Sequence, residues 1–155
     1  MELVFLTDHQ KALPTIASWY FDEWGHLGKG TTMEKVTEDL HSYLNKEQIP
    51  LIVLAVEGDE ILGAAQLKYR EMDIYPEKEH WLGGVFVSSE YRGKKIASKI
   101  VIKLLSIAES LNVKSLYLQT ENLNGGLYSL LGWQPLEQVN YHGVDVLVME
   151  KRLSV

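Results

Sequence analysis

One stretch limits what this chain can become: Val85-Phe86-Val87-Ser88-Ser89-Glu90-Tyr91-Arg92-Gly93-Lys94-Lys95-Ile96-Ala97-Ser98. Residues 85–87 are β-branched and aromatic, the composition of a buried strand. Ser88-Ser89-Glu90-Tyr91 connects them to an apolar-periodic segment that opens on Arg92-Gly93-Lys94-Lys95. That segment carries Ile96, Ile100, Val101, Leu104, Leu105 and Ala108 at helical spacing, one broad apolar stripe. The first-turn N–H groups of a helix have no intrahelical partners and sit at the positive end of its dipole. With Arg92, Lys94 and Lys95 adding full charge, and Gly93 letting the backbone approach closely, such a junction suits a phosphate. The alternative is a glycine that only turns the chain beside solvated cations. The stretch is not a P-loop, which needs a second Gly followed by Lys and Ser or Thr. It also lacks the three spaced glycines of a dinucleotide fold.

Along the rest of the chain, residues 2–6 read as a strand. Thr7 or Asp8 is placed to cap the helix that follows, with Pro14 delaying its start. Ile16, Trp19, Tyr20 and Trp24 recur at helical spacing, either as a core stripe or with one ring lining a cleft. A glycine-rich loop over 25–30 leads to a second helix capped by Thr31 or Thr32, with Val36, Leu40 and Leu44 on its apolar side. Residues 51–56 are a buried strand, Gly58-Asp59 a tight turn, and 61–69 the returning strand. A polar loop over 73–78 precedes the central strand at 81–87, where Gly83-Gly84 predicts a bulge or a close backbone approach. Residues 113–119 are a strand, 123–131 a short helix ended by Gly132, and two strands follow around a turn at Tyr141-His142-Gly143, the last over 144–153. Three strands in succession, followed by strand–helix alternation, predict a mixed α/β sheet with helices on both faces.

Composition narrows the partners. The chain has 155 residues, expected to form one domain over 1–155 that buries roughly 70% of its unfolded surface. It has no cysteine, hence no thiolate nucleophile and no disulfide framework. No apolar run approaches the ~20 residues of a membrane span, and no basic segment leads into an apolar one at the N terminus. These features predict a cytoplasmic protein with no membrane partner. The net charge of −6, with the basic residues of 92–95 confined to one place, argues against a nucleic-acid partner. It suits an anionic cofactor and a cationic partner, against the alternative that net acidity only aids solubility. His26, His41 and His142 lack metal-ligand spacing, so no metal is expected.

Tyr91-Arg92-Gly93-Lys94-Lys95-Ile96-Ala97 resembles the acyl-CoA pyrophosphate loop of the GNAT acetyltransferase superfamily. That loop is usually written Arg or Gln, two residues, Gly, one residue, Gly or Ala. Arg92 and Ala97 match, and Lys95 stands at the central Gly position, where its N–H is still available. About 35 residues further on, Leu127-Tyr128-Ser129-Leu130-Leu131-Gly132-Trp133 resembles the family's closing helix, in which an aromatic-Tyr pair leads to Leu-Gly-Phe or Leu-Gly-Trp. The family often has Asn seven residues before that Tyr. Here the position is Glu121, with Asn122 and Asn124 beside it.

The resemblance implies the GNAT fold and an N-acetyltransferase that uses acetyl-CoA as cosubstrate. It places the cofactor on Phe86, Val87, Arg92, Gly93, Lys94, Lys95, Ile96, Ala97 and Ser98, with Asn124 as the nearby amide. Acyl transfer to an amine needs a neutral amine, a polarised carbonyl, a proton for the leaving thiolate and alignment of both reactants. By resemblance Tyr128 is the general acid; by position alone it would be a core aromatic. Glu79, at the start of the central strand, is the expected base, against the alternative of a solvated charge beside Lys78. The expected substrate is a small cationic amine met by Glu71, Asp73, Glu77, Glu79, Asp22, Glu23 and Glu34. Acetylation of a protein N terminus or lysine, and a non-catalytic acyl-CoA-binding regulator, are the alternatives. A homodimer is left open.

Overall fold

The computed structural model describes residues 1–153, so the last two positions of the expected domain lie outside the described residues. Its elements run β1 (Glu2–Phe5), α1 (Leu13–Trp24), α2 (Met33–His41), β2 (Leu51–Glu57), β3 (Glu60–Tyr69) and β4 (His80–Val87). They continue as α3 (Ile96–Ser110), β5 (Ser115–Thr120), α4 (Gly126–Leu130), β6 (Gln134–Tyr141) and β7 (Val144–Arg152). The strands form one sheet in the order β1-β2-β3-β4-β5-β7-β6. Among the described residues every neighbouring pair is antiparallel except β4 and β5, which run parallel.

The unbroken apolar run in β2 follows from this layering. Leu51, Val53 and Ala55 share one core with Ile96, Ile100 and Leu104 of α3. Ile52, Leu54 and Val56 share another with Ile16, Ala17 and Tyr20 of α1 and Leu40 of α2. Alternate side chains of a strand point to opposite faces, so a strand covered on both sides is apolar at every position. The expected mixed sheet with helices on both faces is what forms. Among the described residues, no helix is long and apolar enough to cross a membrane.

Local differences have local causes. Residues 6–12 form two 3-10 turns before α1, which no side chain caps; Pro14 sits in its first turn, a position that needs no N–H donor. Thr32 caps α2 by accepting from the Lys35 N–H at 3.1 Å. Leu44 lies beyond the end of α2. Two corrections bear on the site. The helix predicted to open at Arg92 begins only at Ile96, because Gly93 and Lys95 both take left-handed backbone angles (φ 81° and 62°) that a right-handed helix cannot contain. The helix predicted over 123–131 is the shorter α4, since Gly125 preceding it is also left-handed.

Candidate active site

The site begins where the sheet opens. β4 and β5 pair at Trp81 and Tyr117. Beyond that pair lies a cleft of about 710 Å³ with Gly83, Gly84 and Val85 on one side and Leu118, Gln119 and Thr120 on the other. On the far side of β4, Ala64 of β3 faces Phe86 and Gln66 faces Gly83, so β4 spends two residues, Gly84 and Val85, against Ala65 alone. This is the bulge that Gly83-Gly84 predicted. Gly84 has φ 56°, and a Cβ there would stand 2.7 Å from Gln66 Cδ and 2.8 Å from Tyr20 Oη. The Tyr20 hydroxyl, held at the back of the cleft by α1, donates to the Gly84 carbonyl at 2.8 Å. Burial pushes the Tyr20 phenol far up.

A second cavity, about 540 Å³, lies along the end of β4 and the start of α3, and shares Glu23 and Val85 with the first. Its walls include Phe86, Val87, Arg92, Gly93, Lys95, Ile96, Ala97 and Ser98. The Arg92 Nε donates to the Val87 carbonyl at 3.0 Å, and its guanidinium lies 5.5 Å from the Phe86 ring, so the loop is folded back on the strand. No side chain caps α3, which leaves its first-turn N–H groups facing a cationic hollow. The Cβ position of Gly93 has open space around it, which leaves the close backbone approach expected there open to a phosphate; within the protein its requirement is the positive φ.

Glu71 stands in the middle of the first cleft. Its carboxylate is mostly buried, accepts from Gln119 Nε2 at 3.1 Å and lies 3.6 Å from the Lys68 ammonium. It packs over Gly83, where a Cβ would fall 2.5 Å from its Oε1. Tyr128 reaches the same cleft from α4, with its ring edge-on to Trp133 at 6.1 Å. Burial, and then the negative charge of Glu71, push the Tyr128 phenol up to about 12.

The family model described as Acetyltransferase (GNAT) family matches residues 13–133. The chain belongs to this family. A comparison with curated protein sequences finds no match. Among solved structures, this GNAT protein is similar to aminoglycoside 6'-acetyltransferase type Ii, at 19% identity and a TM-score of 0.74, with 98% and 97% of the two chains covered. It is similar to yncA from Salmonella typhimurium with its cofactor acetyl-CoA, at 16% identity and a TM-score of 0.78, over 99% of this chain and 94% of that one. It is also similar to ribosomal-protein-alanine N-acetyltransferase from Brucella melitensis, at 19% identity and a TM-score of 0.79, over 99% and 100%. Likenesses at these identities carry the fold.

Of the residues expected at the GNAT cofactor site, eight line one cavity. Lys94 is not part of that lining; its ammonium lies 5.5 Å from the ring of Tyr91, which is. Asn124 lies outside the lining of both cavities; its side-chain oxygen accepts from the Gly126 N–H at 3.1 Å and its carbonyl from Ser129 Oγ at 3.0 Å, so it shapes the start of α4. The neighbouring Asn122 faces the cleft instead. Glu79 is also absent from both linings. It is half exposed and paired with Arg70 at 3.2 Å and His80 at 3.7 Å.

Of the carboxylates expected at the rim, Glu23 and Glu71 reach the cleft, and Asp39 and Glu121 join them. Asp73 is taken by Tyr141, whose hydroxyl donates to its carboxylate at 3.0 Å, and Glu77 by Lys78. Sequence reasoning missed Gln66, Tyr43, Gln119 and Tyr141 as cleft residues. Gln66 carried a signal: it is the polar residue inside the run of small and apolar residues over 61–67, and the structure buries it.

Proposed function

We propose that this chain transfers an acetyl group from acetyl-CoA to a primary amine of a small, cationic molecule. One observation carries the reading: a cationic hollow and an acidic cleft meet at Glu23 and Val85, with Glu71 and Tyr128 both in the cleft. The hollow fits the cofactor on its own terms. It offers uncapped first-turn N–H groups, Arg92 and Lys95 as cations, and open space at Gly93. Phe86, Val87 and the loop from Arg92 to Ser98 would hold the cofactor, and Lys94 flanks it. When bound, acetyl-CoA supplies the acyl group as a thioester.

The remaining work falls to the chain's own side chains. An alkylammonium has a pKa of roughly 10, so a neutral amine requires a proton acceptor at the site. Of the carboxylates that line the cleft, Glu71 is the one whose charge acts on the Tyr128 phenol, and it takes that role. Glu79, outside the lining, is the second candidate, acting at longer range. Tyr128 holds its proton at neutral pH as any phenol does, and burial and the Glu71 charge, by disfavouring the phenolate, make it hold the proton more firmly. A phenol at about 12 is a weaker acid than a thiol of roughly 8.5, so Tyr128 first serves the departing sulfur as a hydrogen-bond donor. When Glu71 accepts the amine's proton its charge disappears, and one of the two causes that hold the phenol up disappears with it. The two proton movements are therefore ordered, base before acid.

Four carboxylates, Glu23, Asp39, Glu71 and Glu121, line the cleft against the single ammonium of Lys68, a charge balance that draws a cationic acceptor. The test is thiol release from acetyl-CoA across a library of amines of varied charge, with peptides bearing a free N terminus as one arm. Small polycationic amines are expected to be the best acceptors, with efficiency falling as salt rises. Best acceptors that are neutral or anionic, with no response to salt, would sink the substrate assignment. Fastest turnover in the peptide arm would replace it with protein acetylation.

A further inference from the structure

The acceptor cleft already contains an amine. Lys68 extends from β3 across Gly83, where a Cβ would lie 3.0 Å from its Cδ. Its Nζ lies 3.6 Å from Glu71 Oε1, and its charge opposes the burial that pushes the Tyr43 phenol up. Only 26% of its side chain is exposed, against 64% for the surface lysine Lys11. Its ammonium therefore stands against the carboxylate that an acceptor ammonium would use, and in the cleft that Tyr128 lines.

We propose that Lys68 is a modification site of this protein's own chemistry, acetylated within the same molecule when acyl donor is bound and no acceptor fills the cleft. The inference rests on the acetyl-transfer reading above. Glu71 accepts a proton from the Lys68 ammonium. The neutral Nζ then forms the amide bond to the acyl carbon as the carbon–sulfur bond breaks; the second Nζ proton passes to the departing sulfur, which leaves as the thiol, and Glu71 returns its proton to solvent. No further reactant is needed. The product is an amide, which does not pass its acyl group on to another amine, so the change is a stop and not a step of turnover. It removes the cation that faces Glu71 and places an acetyl group in the acceptor's space. The device restrains acetyl-CoA consumption when acceptor is scarce.

The full chain is incubated with acetyl-CoA and no acceptor, and acetyl groups are located by peptide mass spectrometry. The protein as isolated, before any donor is added, is mapped in parallel. Lys68 is expected to fill on the order of 100-fold faster than Lys11, the factor one positioned base supplies. The rate constant should not depend on protein concentration, and some occupancy should already be present in the isolated protein. Glu71→Gln should erase the preference for Lys68 and leave Lys11 unchanged. Lys68→Arg, which retains a cation beside Glu71, should give linear progress curves with an acceptor where those of the parent chain slow. Uncatalysed acetylation would favour the exposed lysine, so Lys68 filling no faster than Lys11 overturns the proposal. If amines are turned over while Lys68 stays unmodified, the proposal falls and the acetyl-transfer reading stands. If thiol is released in neither experiment, both fall.

Discussion

The two cavities share a wall at Glu23 and Val85, yet they are assembled in opposite ways. The cationic hollow comes almost wholly from one continuous stretch, from Val85 to Ser98. The acidic cleft draws Tyr20 from α1, Asp39 from α2, Lys68 from β3, Gln119 from β5, Tyr128 from α4 and His142 from the β6–β7 turn. A phosphate is met by backbone N–H groups and charge, which one helix start can supply locally. Proton transfer to and from a reacting centre needs side chains converging from several directions, and only tertiary structure brings them together. The hollow should therefore tolerate side-chain changes and fail on backbone ones, and the cleft should do the reverse.

The strongest test of that contrast is in the cleft. Tyr128→Phe keeps the ring against Trp133 and removes one hydroxyl, so turnover should fall about 100-fold while acetyl-CoA affinity, read by titration calorimetry, stays put. Glu71→Gln should do the same and flatten the acid side of the pH–rate profile. Glu79→Gln, altering a carboxylate already engaged with Arg70, should change turnover less than twofold. A reversal, with Glu79→Gln the damaging change, would make the base act from outside the cleft. In the hollow, Gly93→Glu forces a side chain onto a left-handed backbone and sets a negative charge beside the phosphates. Donor affinity should drop on the order of tenfold, about 1.4 kcal/mol, with the acceptor KM unaltered. Equal loss of both affinities would mean that the two cavities act as one.

The same contrast explains what could be read from the chain. Residues 85–98 declare strand, turn, glycine and cations in sequence order, and the Gly83-Gly84 pair announces the bulge, because each of these is a short-range property. The layering of β2 was legible for the same reason: its unbroken apolar run implies cover on both faces. Glu71 was visible only as one acid among several on a loop, since its partners Gln119 and Lys68 come from other strands. Asn122 and Asn124 both lie beside Glu121 in sequence, which does not separate them; the turn before α4 sends Asn122 to the cleft and Asn124 to its own backbone. The late start of α3 was not legible, because two left-handed residues in four leave no mark on apolar spacing.

A smaller effect should appear in strong base. The Tyr128 phenol titrates near 10 in the unfolded chain and is pushed up to about 12 in the folded one. Between those values the folded state holds a proton that the unfolded state has lost, so stability should fall as pH rises through this window. Tyr20, pushed up further by burial, adds to the slope. Tyr128→Phe should make the alkaline decline in the denaturation midpoint shallower, and an unchanged slope would mean that the phenol is solvated in the folded protein.

The smallest expected effect divides the roles of a single residue. Lys95 holds φ 62° at the cap of α3, a conformation that costs a side-chain-bearing residue roughly 1 kcal/mol relative to glycine. Lys95→Gly should relieve that strain, although glycine also gains freedom in the unfolded chain, which offsets part of the gain. The net should be a rise in stability of under about 1 kcal/mol, measured as a shift in denaturation midpoint at constant m-value. The same change removes one cation from the hollow and should weaken acetyl-CoA binding a few-fold, more at low salt than at high. Opposite signs in the two measurements would show that the strained lysine is retained for its charge at the phosphates. Stability and affinity rising together would assign the hollow to the backbone alone, and would make its contrast with the side-chain-built cleft sharper still.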